Sequence, residues 1–177
     1  LLLLLEGYRT GFLDIAFQII TDVGSEMGYI FVVTLLYWCF DKSIGQGISY
    51  IYMFTATVNS WLKHIWLIPR PGHIDLEATL QQAGIDARLV PLRESASPAF
   101  PSGHTQTAVV GWGYMGARFR RLGVWILSLV MMILIGFSRL YLGVHFPQDV
   151  IAGALFGAAM LLLWLPLEPR VRAWLVE

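Results

Sequence analysis

Residues 122–138 read LGVWILSLVMMILIGFS, and Arg139 follows at once. No charge interrupts the run, which approaches the ~20 apolar residues that cross a bilayer as a helix. Outward from it, the same texture repeats. On the C-terminal side a short polar segment holds His145 and Asp149, and then Val150–Leu167 (VIAGALFGAAMLLLWLPL) is again uncharged. On the N-terminal side Arg118, Arg120 and Arg121 mark a tight connection. Beyond them lie the uncharged runs Ser95–Ala117, Ser43–Leu62 and Met27–Phe40.

Composition agrees with that texture. Of the 177 residues, 56% are hydrophobic and 14% charged, against about 25% charged in soluble domains, and mean hydropathy is +0.63. So many apolar residues exclude a disordered chain. A formal net charge of zero argues against a nucleic-acid binder built on a basic surface. One cysteine, Cys39, excludes an internal disulfide framework and a thiolate-rich zinc site.

The expected architecture is an all-α, polytopic transmembrane helix bundle in one domain, residues 1–177. Five spans are expected near 26–41, 44–66, 102–118, 122–139 and 148–166. Before them, Phe12, Ile15, Ala16, Ile19, Ile20 and Val23 recur at helical spacing opposite Asp14, Gln18 and Asp22. That pattern predicts an amphipathic or partial helix lying in the membrane interface. No signal peptide is read there, since a basic n-region and cleavage site are missing. The chain starts at Leu1 rather than Met, which fits a fragment or a processed form. The connections are short except for residues 67–101, a Pro- and Gly-rich loop in which Asp75–Ala83 is expected to form a short surface helix. Loops of this length are often functional.

Spans alternate direction, so one exit and the next start face the same side. Lys63 and Arg70 follow the second span; Ser102, Gly103 and His104 open the third. Ser138 and Arg139 close the fourth, and His145 and Asp149 open the fifth. All are therefore expected at one membrane face, where ionisable residues are functional candidates. Arg70 and Arg139 supply forked donors that match phosphate oxygens, and Lys63 a point charge. Pro101-Ser102-Gly103-His104 puts a hydroxyl and backbone N–H groups at a helix start, which favours an anion. His145 and Asp149 are four apart on one helix face. A carboxylate there can hold one ring nitrogen and leave the other free to attack, while His104 is available as acid or base.

These residues carry a resemblance. Lys63 to Arg70-Pro71, Pro101-Ser102-Gly103-His104, and Ser138-Arg139 to His145 to Asp149 resemble the three signature motifs of the type 2 phosphatidic acid phosphatase (PAP2) superfamily. That superfamily includes lipid phosphate phosphatases, undecaprenyl diphosphate phosphatases, glucose-6-phosphatase and vanadium haloperoxidases. The motif core runs over 59–153 and the likeness over about 26–166. It departs at the N-terminus, because bacterial members usually have six spans. The resemblance implies a PAP2/haloperoxidase-like core with His145 as the phosphoryl-accepting nucleophile, oriented by Asp149. His104 would protonate the leaving group and then activate water; Lys63, Arg70, Ser102, Gly103 and Arg139 would hold the phosphoryl oxygens. No cofactor or metal is expected, since no carboxylate cluster surrounds the motifs.

Other features read more simply. Gly153 and Gly157 form a GxxxG suited to close packing within the bundle. Asn59, one turn before Lys63, is expected to hydrogen-bond to it or to a neighbouring helix. His64 and His73 have only positional claims on a site, Tyr141 and Phe146 are expected to pack beside the third motif, and Cys39 to fill space. The many Trp and Tyr near span ends suit an interfacial belt.

Lys42, Arg118, Arg120, Arg121, Arg170 and Arg172 fall on the face opposite the site. That face is expected to be cytoplasmic, with the site opening to the periplasm or exterior of a bacterial inner membrane. The expected function is hydrolysis of a lipid phosphate or diphosphate, such as undecaprenyl diphosphate, phosphatidylglycerol phosphate, phosphatidic acid or lipid A phosphate. The expected partners are that lipid and the bilayer, with no nucleic acid and no obligate protein partner. The alternatives are a phosphotransferase using the same intermediate, hydrolysis of a soluble phosphate, and a non-catalytic lipid-binding or transport protein.

Overall fold

Helices follow from the caps and apolar runs. The computed structural model describes residues 1–71 and 97–176. Its helices are α1 (Leu2–Glu6), α2 (Gly11–Val23), α3 (Glu26–Leu35, continued by a π-helical turn Leu36–Phe40), α4 (Lys42–Trp66), α5 (Gly103–Phe119), α6 (Leu122–Tyr141) and α7 (Pro147–Val176). Among the described residues no strand is present. The expected surface helix Asp75–Ala83 and His73 lie outside the described residues.

Local chemistry sets the starts. Asp41 caps α4, its Oδ1 accepting from Ser43 N at 2.7 Å and Ile44 N at 3.2 Å, as a first turn with orphan donors requires. Pro147 opens α7, where its missing N–H costs nothing. Asp149 reaches back to accept from Phe146 N at 2.8 Å, one half of a capping box.

Helix α5 is the centre. It packs chiefly on α7 and α6, then on α4, and most of its length from Thr105 to Gly116 is buried. Two glycines of α7 let it approach. A Cβ on Gly153 would lie 2.5 Å from Ser102 O, and one on Gly157 2.6 Å from Gln106 O. The GxxxG is therefore a helix-packing device inside the bundle, as expected. The core below the site joins Leu36, Ile48, Ile51, Val110, Tyr114, Met115, Met160 and Leu161.

The outward faces are apolar instead: Phe31, Met53, Ile126, Leu129, Leu155 and Leu162 are exposed. A bundle that is oily outside and holds Thr, Gln, Asn and Tyr inside is an integral membrane protein. By length and composition, α6 and Pro147–Trp174 of α7 suffice to cross a membrane. Helices α4 and α5 occupy the expected second and third spans. They are less apolar because much of their surface faces protein.

Three expectations change. The segment expected as a span at 26–41 reaches the length and apolarity of a span only together with the helix before it: Gly11–Val23 and Glu26–Phe40 form an apolar pair bent by 58°. The break falls at Gly24-Ser25, where Ser25 Oγ accepts from Gly28 N at 3.3 Å and restarts the helix. Second, α2 docks on α6 with Leu13 and Phe17 packed inward beside the polar Asp14 and Thr21. Phe12, Ile15 and Ile19 are exposed, whereas Thr21 is fully buried and Tyr141 donates to Asp14 Oδ1 at 2.8 Å. Membrane surroundings reverse the usual sense of amphipathicity, so an apolar stripe points outward. Third, α7 continues through Pro166 and Pro169 to Val176. Glu168 and Arg172, one turn apart at 2.7 Å, fasten that extension. Tyr114 donates to Glu168 at 2.6 Å, and Arg172 reaches the Ser43 hydroxyl at 2.8 Å as well as the Ser43 carbonyl. Cys39 is exposed rather than a filler of the core.

Candidate active site

The helix ends converge as span order predicts. A cavity of about 540 Å³ opens among the C-terminal end of α4, the segment at Arg70 and Ser97, the start of α5, the end of α6 and the turn before α7. Lys63, Arg70, Gly103, His104, Arg139 and His145 all line it. Ser102 and Asp149 are fully buried behind that wall.

The α6–α7 turn delivers His145. Leu142 N and Val144 N bond back to Ser138 O and Arg139 O, at 2.9 and 3.2 Å. Gly143 takes φ +68°, a left-handed conformation that glycine adopts without strain. The His145 ring is held from both sides. Its Nε2 lies 3.4 Å from Arg70 Nη1, and its Nδ1 lies 3.5 Å from Asp149 Oδ2, longer than a hydrogen bond. A guanidinium can only donate, so Nε2 carries the lone pair and Nδ1 the proton facing the carboxylate. Burial, reinforced by Arg70, Arg139 and Lys63, pushes His145 well below its ordinary value of 6.5, so the ring is neutral at physiological pH. Oδ1 of Asp149 has no hydrogen-bond partner, which leaves the carboxylate free to tighten on an imidazolium.

The cations are fixed by their own contacts. Arg70 donates from Nε to Ser97 O at 2.7 Å, from Nη2 to Ser97 Oγ at 3.0 Å and from Nη1 to Val144 O at 3.1 Å. Lys63 donates to the same Ser97 hydroxyl at 3.1 Å. Arg139 donates to Thr21 Oγ1 at 2.5 Å. Three positive groups thus share one small cavity without a carboxylate hydrogen-bonded to Lys63 or Arg70 among the described residues, an arrangement that suits an incoming anion.

The start of α5 is fixed by residues the motifs only partly include. Ser102 N donates to Asp149 O at 2.9 Å, and Ser102 Oγ meets Thr105 Oγ1 at 3.0 Å and Thr105 N at 3.5 Å. Its hydroxyl therefore caps the helix and does not line the cavity. Asn59 donates to Pro101 O at 3.3 Å and to Gln106 Oε1 at 2.7 Å, the neighbouring-helix role expected of it. Ser97, Thr21 and Gln106 had no motif to single them out; only the three-dimensional contacts find them. His64, bonded to Ser60 O at 2.7 Å and exposed, does not join the cavity wall, and Tyr141 instead docks α2, its ring 4.4 Å from Phe17. Among the described residues, no group of three His, Cys, Asp or Glu is placed to hold a metal ion.

One end of this membrane helix bundle thus gathers two histidines, a buried aspartate and three cations. Residues 46–173 match the PAP2 superfamily, and the chain belongs to that family. Its fold is similar to the crystal structure of Aquifex aeolicus LpxE, with a TM-score of 0.75 and 26% identity, over 93% of this chain and 92% of that one. It is also similar to a transmembrane PAP2 type phosphatidylglycerolphosphate phosphatase from Bacillus subtilis, with a TM-score of 0.71 and 22% identity, over 92% and 80% of the two chains. Among curated proteins, a probable sphingosine-1-phosphate phosphatase of Dictyostelium discoideum is 26% identical over 89% of this chain and 39% of its own length. The lipid A 1-phosphatase of Rhizobium johnstonii is 30% identical over 68% of this chain and 46% of its own length. The chain spans about two fifths of the length of the first of these curated relatives.

Proposed function

We propose that this protein is a lipid phosphatase that hydrolyses a phosphate or diphosphate ester through a phosphohistidine on His145. The observation that carries the reading is the His145 ring, with a lone-pair Nε2 facing the cations at 3.4 Å from Arg70 and Nδ1 backed by Asp149. The family, and relatives named as phosphatases of sphingosine phosphate and lipid A, support it.

Nε2 attacks phosphorus in line with the ester oxygen. The P–N bond forms as the P–O bond breaks, and His104 gives its proton to the leaving oxygen. His104, now neutral, takes a proton from water; the hydroxide equivalent attacks phosphorus, the P–N bond breaks and phosphate leaves. Lys63, Arg70, Arg139 and the N–H groups at Gly103 hold the equatorial oxygens, with Ser102 fixing that helix end. Catalysis then rests on alignment and charge stabilisation, as phosphoryl transfer requires. Residues 1–177 act as a single membrane-embedded domain with its motif core at 59–153. The basic connections at Lys42 and Arg118–Arg121 favour a cytoplasmic position for the far end, so the site opens outside, in a bacterium to the periplasm or exterior. A site at the end of the spans favours a substrate whose tail stays in the bilayer.

The test is phosphate release by purified protein in detergent with EDTA, from a panel of lipid phosphates and diphosphates. Release is expected, and its loss in His145→Ala. Release undiminished in that variant contradicts the nucleophile assignment, and no release from any member contradicts the phosphatase reading.

A further inference from the structure

The start of α5 carries backbone donors that no carbonyl within the helix can reach. Two of them are taken up by the fold: Ser102 N donates to Asp149 O at 2.9 Å, and Thr105 N to Ser102 Oγ at 3.5 Å. The other two, Gly103 N and His104 N, have no hydrogen-bond partner among the described residues. Both residues line the cavity. What these two donors meet depends on how the start of α5 is held.

Asp149 holds it from α7. From α4 it is held by a pair of buried amides. Asn59 Nδ2 donates to Pro101 O at 3.3 Å and to Gln106 Oε1 at 2.7 Å. A carbonyl only accepts, so Pro101 O decides which edge of the Asn59 amide faces it. That choice turns Gln106 Oε1 toward Asn59 and Gln106 Nε2 toward Met160 Sδ, 3.0 Å away. Asn59 Oδ1 then lies over the backbone of Gly103, 2.9 Å from where a Cβ would stand. Asn59 therefore grips the helix start on both sides of Ser102, by a hydrogen bond at Pro101 and by close approach at Gly103.

We propose that Asn59, backed by Gln106, is a positioning residue for phosphoryl transfer. It sets the Gly103 and His104 N–H groups where the equatorial oxygens of the transition state come to lie. This rests on the phosphatase reading above and adds to it a residue outside the three motifs. Donors aimed at developing charge act more on the transition state than on the bound ground state. A displaced helix start therefore weakens binding of a transition-state mimic more than binding of phosphate. An amide pair that only satisfied buried polar groups would change stability and the amount of folded protein, and would leave that difference unchanged.

The experiment measures inhibition by orthovanadate, which can adopt the trigonal bipyramid of the transition state, and by inorganic phosphate. The assay is hydrolysis of the lipid phosphate that the native protein turns over fastest in detergent micelles. The readout is the ratio of the two inhibition constants, which does not depend on how much of the protein is folded. The native protein is expected to prefer vanadate by about 10²-fold. Asn59→Leu removes both donations at similar size and is expected to lower that preference about tenfold, with kcat falling more than KM rises. Asn59→Asp keeps the shape and lets the Gln106 amide turn to donate, but it still lacks the donor for Pro101 O; it is expected to show most of the same loss. Gln106→Leu keeps the bond to Pro101 O and is expected to lose less. If Asn59→Leu does not fold, Asn59→Asp carries the test. A native preference near one, or a preference unchanged in Asn59→Asp, overturns the proposal while leaving the phosphatase reading intact. Absence of phosphate release by the native protein from every lipid phosphate tried overturns the phosphatase reading itself.

Discussion

The Asp149 carboxylate lies 3.5 Å from Nδ1 of His145, behind a ring whose other nitrogen faces Arg70 across 3.4 Å. In the proposed mechanism the carboxylate orients the ring from behind, where Asp149 is fully buried. Asp149→Asn removes the charge that favours the imidazolium and the Nδ1–H tautomer. It is expected to lower kcat by about 10²–10⁴-fold with little change in KM, the pattern of an interaction made in the transition state. Steady-state kinetics alongside thermal unfolding separates this from loss of fold.

Ser97 holds two cations at once, accepting from Arg70 at 3.0 Å and Lys63 at 3.1 Å on one hydroxyl. Ser97→Ala leaves both charges present but less fixed. KM is expected to rise about 3–10-fold, on the scale of one or two charge-assisted hydrogen bonds, with a smaller fall in kcat. An unchanged KM would contradict the clamp.

The N-terminal helix reaches the site through Thr21, which accepts from Arg139 at 2.5 Å in a buried setting. Thr21→Val keeps the shape and removes the acceptor. Activity is expected to fall about 3–20-fold, the cost of a buried charged donor losing a partner. Thr21→Ser is expected to restore it in the same assay.

Acid should act at His145 in a defined direction. Its value in the folded protein lies below 6.5, through burial first and the cations second. As pH falls below 6.5, the unfolded chain binds a proton there and the folded chain does not, so stability declines until the folded value is passed. The His145 ring itself stays neutral through that interval. The acid limb of kcat/KM attributable to His145 is therefore expected below pH 6.5, and a pH–rate profile of the native protein checks it.

Close packing of α7 on α5 depends on Gly153, where a Cβ would lie 2.5 Å from Ser102 O. Gly153→Val is expected to destabilise the fold by about 1–3 kcal/mol, as overpacking does, and to reduce activity because Ser102 starts α5. Thermal unfolding in detergent measures it.

Much of the bundle could be read from charge spacing. The gaps between charges set α4 to α6 within about two residues, and span alternation alone brought Lys63, His104, Arg139 and His145 together. Position along a span is what that logic carries; direction around it is not. Ser102 accordingly reads as a phosphate ligand by position, while the direction of its hydroxyl, toward Thr105, is set by the fold. The stripe of Phe12, Ile15 and Ile19 gave the helix but not which side met protein, because lipid and core are equally apolar. Ser97 and Thr21 are small polar residues with no spacing signal. Their importance comes from which guanidinium happens to reach them.

The most direct test of the central claim is alkaline denaturing quench of the protein during turnover of a ³²P-labelled lipid phosphate in EDTA. The account predicts an acid-labile, alkali-stable phosphoenzyme that maps to His145, is absent in His145→Ala and accumulates in His104→Ala if water activation is the slower step lost. Labelled phosphate released at the native rate by His145→Ala, or a phosphoenzyme mapped to another residue, would contradict it.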